Sequence, residues 1–105
     1  MTREQIIEKQ IEEVMDEFDF RKVAEYMKSV EWVWHSTDGV PSESDLRKSV
    51  RKTMRDLSNK GEHGYYSGGF DIRFYENKDD KWLRFDVKFV LESWAMDGEN
   101  YKTTP

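Results

Sequence analysis

The chain has 105 residues and no cysteine, which reads as one domain with one modest core and excludes disulfides, zinc–thiolate sites and a cysteine nucleophile. Apolar residues make up 36% and charged residues 37%, wet for a globular protein, although the 14% that are aromatic supply large buried areas. A net charge of −5 argues against a general binder of duplex nucleic acid. No run is long or apolar enough for a membrane span or a signal core, so a soluble, cytoplasmic protein is expected.

Thr2-Arg3-Glu4-Gln5 fits a capping box, with Thr2 as N-cap and Gln5 reaching back to it. Ile7, Ile11, Val14, Met15 and Phe18 follow at helical spacing. Asp19 breaks or recaps the chain, and Phe20, Val23, Ala24, Met27 and Val30 form a second stripe of shifted phase, ending near Ser29. Residues 1–30 are therefore two helices. They are acidic: the first 31 residues hold nine acids against five bases.

Glu31-Trp32-Val33-Trp34-His35-Ser36 is aromatic and β-branched, and reads as a short extended segment over 31–36. Trp32 and Trp34 fall on one face with His35 at its edge, either as an aromatic wall for a ligand or as core and subunit interface. Thr37 to Pro41 is a turn. A helix over 42–59 starts at Ser42 or Ser44, buries Leu46, Val50, Met54 and Leu57, and stops at Asn59-Lys60-Gly61.

Residues 46–55 of that helix carry five bases and no acid. Arg47, Arg51 and Arg55 lie four apart, so they line one face, flanked by Lys48 and Lys52. Guanidinium forks in that array suit a phosphate or carboxylate, while the same stripe also suits a solvated face beside the acidic helices. Tyr65-Tyr66-Ser67-Gly68-Gly69 follows in a Gly-rich connection from Glu62. Its glycines let backbone N–H groups approach a ligand and its tyrosines can stack on a base; alternatively it is a bend into a strand with two packed aromatics.

A β-hairpin over 69–91 organises the rest. Phe70, Ile72 and Phe74 alternate with Asp71, Arg73 and Tyr75, and Leu83, Phe85, Val87, Phe89 and Leu91 alternate with Arg84, Asp86, Lys88 and Val90. Pair numbers summing to 159 set Arg73 against Asp86 and Asp71 against Lys88; a sum of 157 sets Arg73 against Arg84. The register of 159 follows, with a six-residue loop from Asn77 to Trp82. Residues 92–105 form a tail with Trp94 and Tyr101. The fold expected is α+β: N-terminal helices and a central helix packed on a small antiparallel sheet built around the C-terminal β-hairpin, with 31–36 as a further strand.

Catalysis has little in its favour. His35 and His63 are the only histidines, and no nucleophile elbow, zincin motif or paired-carboxylate motif occurs. A hydrolase using His35 (with Asp38 to orient it) or His63 is the one enzymatic alternative, and nothing calls for a cofactor or a metal.

Trp32-x-Trp34-His35, Pro41-Ser42-x-x-x-Leu46-Arg47 and Ser67-Gly68-Gly69-Phe70 together resemble small proteins of tailed bacteriophages, of the accessory, host-interaction type. The resemblance covers roughly residues 18–91. It implies a non-catalytic factor in the host cytoplasm that counteracts host machinery or defence. Such a factor either sequesters a small anionic, nucleotide-like ligand or inhibits a host protein by direct contact. The first reading needs Arg47, Arg51, Arg55, Tyr65, Tyr66, Ser67, Gly68, Gly69, Trp32, Trp34 and His35 to converge on one pocket. The second needs exposed aromatics on a flat patch. Surplus aromatics in a wet sequence also predict a homo-oligomer.

Overall fold

The computed structural model describes residues 1–32 and 39–90. Three helices, α1 (Arg3–Glu17), α2 (Phe20–Ser29) and α3 (Glu43–Lys60), precede three strands, β1 (Gly64–Ser67), β2 (Phe70–Asn77) and β3 (Trp82–Phe89). The fold is α+β: one helical layer on one face of an antiparallel sheet of order β1-β2-β3. α1 lies over β3 and beside α3, which covers β2 and reaches β1, while α2 packs against α3.

Local chemistry sets the helix ends. The Thr2–Gln5 box is present, with Thr2 Oγ1 accepting from the Gln5 N–H and Gln5 Oε1 from the Thr2 N–H. Asp19 caps α2 by accepting from the Lys22 N–H at 2.9 Å. Ser42 and Asp45 form a second box at the start of α3, and Gly61 ends it in the left-handed conformation at φ +69°.

Ile7, Ile11, Met15, Phe20, Val23, Met27, Leu46, Val50, Met54 and Leu57 meet Phe70, Ile72, Phe74, Leu83, Phe85 and Phe89 in one core. Val30 does not join it: as the C-cap of α2 it is exposed. The β2–β3 register is the sum of 159, with Arg73 opposite Asp86, Asp71 opposite Lys88 and Phe74 opposite Phe85. Pairing runs one step further than expected, to Asn77–Trp82, so the loop has four residues. Asn77 Oδ1 accepts from the Asp80 N–H at 3.0 Å and fastens it.

The larger departure is β1. Gly64–Ser67 is a strand rather than a connection, joined to β2 by a two-residue turn in which Gly68 and Gly69 have φ of +60° and +88°. Two consecutive positive φ angles are what a type I′ hairpin requires, and Gly-Gly supplies them without a Cβ penalty. The third strand of the sheet is thus 64–67. Trp32 is not in a strand; it is half-buried against the Phe89 ring at 6.1 Å, and the rest of the segment expected to extend the sheet, 33–36, lies outside the described residues. Leu91 and the tail at 92–105 lie outside them as well.

Candidate interaction surface

The arginine stripe faces α1. Arg55 grips Glu8 through Nε at 3.1 Å and Nη2 at 2.7 Å, and Arg51 makes the equivalent fork to Glu12. Arg47 bonds Glu43 on its own helix at 3.0 Å, donates to the Met15 carbonyl at 3.1 Å and lies 5.0 Å over the Phe20 ring. That carbonyl belongs to the last turn of α1, which has no basic residue of its own, so Arg47 complements the negative end of its dipole. Fork geometry raises the pKa of Arg51 and lowers that of Glu12, chiefly through their shared hydrogen bond. The three guanidinium groups direct their donors to protein oxygens.

Of the other residues expected to share a pocket with this stripe, Gly68 and Gly69 form the hairpin turn and Ser67 pairs with Phe70 across it. Tyr65 and Tyr66 are exposed rather than packed, and point to opposite faces of β1. Tyr65 lies on the helical side, where its nearby charged neighbour on α3 is Lys52. Trp32 sits at the core margin; Trp34 and His35 lie outside the described residues. Among the described residues the structure does not gather these groups into one site.

It leaves instead one face of the sheet uncovered among the described residues. Opposite the helices, β2 presents Asp71, Arg73, Tyr75 and Asn77, β3 presents Trp82, Arg84, Asp86 and Lys88, and β1 adds Tyr66. The centre is a charge checkerboard around a shallow depression of about 210 Å³. Arg73 Nε donates to Asp71 at 2.9 Å, and Arg84 reaches Asp86 at 3.6 Å. The ends are aromatic. Tyr75 and Trp82 are diagonal neighbours at the loop end, with the Arg84 guanidinium 4.8 Å over the Tyr75 ring. Tyr66 stands at the opposite end, its hydroxyl donating to the Val90 carbonyl at 3.3 Å. Tyr66 is 45%, Tyr75 38% and Trp82 45% exposed, high for side chains of that size.

Tyr75 and Trp82 were not singled out by sequence pattern, although period-two alternation already places Tyr75 on the wet face. The signal for the whole face was Gly68-Gly69 between aromatic runs, the standard mark of a tight hairpin and hence of a third strand.

Described residues also line two further concavities. One of about 490 Å³ lies between Arg3, Lys60, His63, Glu76 and Lys78. His63 is exposed there, and among the described residues no hydrogen bond joins its ring to a carboxylate, Glu76 being held by Arg3. The other, about 470 Å³, opens between α2 and Pro41. Among the described residues no three metal-ligating side chains are grouped, and no helix is long and apolar enough to cross a membrane. No family model, curated protein or solved structure matches the chain.

Proposed function

We propose that this chain is a non-catalytic accessory protein that binds another protein through the uncovered face of its sheet. One observation carries the reading: Tyr66, Tyr75 and Trp82 project from the same face, around a charged centre in which Arg73 pairs with Asp71 and Arg84 with Asp86. Aromatic anchors flanking a polar centre are the residue types that dominate the energetics of protein interfaces. The resemblance to small tailed-phage proteins supplies the class of partner, a host protein whose activity is inhibited or redirected. Ligand sequestration is the weaker reading, because each arginine it needs is engaged by a glutamate or a carbonyl.

The test compares capture of host proteins by the wild type, by Tyr75→Ser/Trp82→Ser, and by Arg21→Glu/Lys28→Glu on the far side of the molecule. A partner retained by the far-side variant and lost with the sheet-face variant is expected. Equal capture by all three overturns the assignment of this face. A rise in Tm with a nucleotide, abolished in Arg51→Ala, would restore sequestration in its place.

A further inference from the structure

The two edges of the sheet differ. β1 is a four-residue edge beginning at Gly64, short enough to resist pairing with another chain. β3 is the opposite edge; of the usual protections it has charged side chains, Arg84, Asp86 and Lys88, but these are of both signs and can pair with one another across two copies. It runs eight residues without proline, glycine or bulge, and every one of them keeps register with β2. Among the described residues no strand pairs on its outer side.

Which of its backbone groups point away from β2 can be read from the hydrogen-bond alternation. The Val90 N–H donates to the Gly69 carbonyl, which makes 69–90 a bonded pair. Antiparallel ladders alternate, so Asp86–Arg73 and Arg84–Tyr75 are bonded pairs too, while Leu83, Phe85 and Val87 direct their N–H and C=O groups away from β2. The Phe74 N–H bond to the His63 carbonyl, on the other side of β2, obeys the same alternation.

We infer that β3 pairs antiparallel with β3 of a second copy of this chain, joining two sheets into one six-stranded sheet about a two-fold axis. Charge selects the register. Centring the pair on Phe85, so that paired numbers sum to 170, places Arg84 against Asp86 of the second copy, twice by symmetry, and Trp82 against its Lys88. A shift to 172 opposes Asp86 to itself and Arg84 to Lys88, and a shift to 168 opposes Arg84 to itself. The Phe85 centre also lets both copies exchange backbone bonds through their outward groups, because Phe85 is one of the outward residues.

The helical layer is compatible with this axis. α1 lies over β3, so the axis brings α1 beside its antiparallel copy. The flank of α1 turned away from α3 carries half-buried Ile6, Gln10 and Val14, four apart, rather than Glu8 and Glu12. Glu13 and Glu17 share that flank at its C-terminal end, where the copy presents its positive N-terminal end. The partner of this edge is thus a second copy, and the association needs no third protein. It also doubles the uncovered face, since both outer faces then lie on one side.

Sedimentation equilibrium across a wide concentration range tests this with Arg84→Glu, Asp86→Lys and their mixture. The wild type should reach twice the 12.6 kDa of the chain. Each variant alone opposes like charges twice, and its dimer dissociation constant should rise on the order of tenfold or more. Mixed in equal amounts, the variants again oppose unlike charges. The glutamate introduced in one copy meets the lysine introduced in the other, and the unaltered Asp86 of the first meets the unaltered Arg84 of the second. Association should therefore return as a heterodimer, and that recovery also shows both variants to be folded. A wild type that stays monomeric throughout overturns the inference. So do single variants that dimerise as the wild type does, or a mixture that fails to associate.

Discussion

Arg3 and Glu76, 73 positions apart, form a two-pronged ion pair with Nε–Oε2 at 2.7 Å and Nη2–Oε1 at 3.1 Å. The same guanidinium donates to the Ser58 carbonyl at 2.8 Å, in the last turn of α3. The first residue of α1 therefore ties the end of β2 to the end of α3. The Glu76 side chain is only 14% exposed, which favours the pair over an ordinary surface bridge, while the 40% exposure of Arg3 leaves it open to screening. Arg3→Ala is expected to lower stability by about 1 kcal/mol, and a double-mutant cycle with Glu76→Ala to show coupling of about 0.5–1 kcal/mol. Urea unfolding of the four chains measures both.

The hairpin turn makes a sharper prediction, because its two glycines are not equivalent. A Cβ on Gly69 would stand 2.7 Å from Cε1 of Phe89 and would also require a side chain at φ +88°. Gly69→Ala should therefore cost about 2 kcal/mol or more. Gly68, at φ +60°, sits where type I′ turns accept asparagine, and Gly68→Asn should change stability by less than about 0.5 kcal/mol. Equal effects at the two positions in thermal unfolding would rule out this turn geometry.

Phe20 opens α2 and is fully buried, with its ring 4.8 Å from Phe18 and 6.3 Å from Phe70 and with Arg47 above it. It joins both helical segments of the N-terminal half to the sheet. Phe20→Ala should cost about 3–5 kcal/mol, comparable to much of the stability of a small domain, and Phe20→Leu clearly less. Circular dichroism of the two variants at rising temperature separates these outcomes.

Acid should weaken the fold. Hydrogen bonds from Arg51 and Arg3 hold Glu12 and Glu76 below the ordinary glutamate range, and a backbone bond from Ser42 does the same for Asp45. A carboxyl whose folded pKa is depressed adds stability above its unfolded value of about 4 and loses it as pH falls through the folded value. Tm should then be level from neutral pH to about 5 and drop steadily below about 4, with a shallower drop in Glu12→Gln/Glu76→Gln. High salt at neutral pH should reduce the Glu8–Arg55 and Glu12–Arg51 contribution, because both pairs are about half exposed.

Short-range chemistry made much of this fold legible in the sequence. Caps act over three residues, so Thr2–Gln5, Asp19–Lys22 and Ser42–Asp45 mark where the helices begin. Periodicity names the buried stripes, and cross-strand charge selects the β2–β3 register, since Arg73 and Asp71 find opposite charges in only one of the two registers weighed. The tertiary structure alone decided what those stripes face. Spacing puts Arg47, Arg51 and Arg55 on one face of a helix, but whether that face meets a ligand or Glu12, 39 positions away, depends on how α1 lies beside α3. Likewise Gly68-Gly69 becomes a tight hairpin, and Tyr66 joins the face of Tyr75 and Trp82, only because β2 accepts a strand on its free side. Local sequence sets which side chains share a face, whereas the burial of apolar area between distant elements sets which faces stay open to a partner.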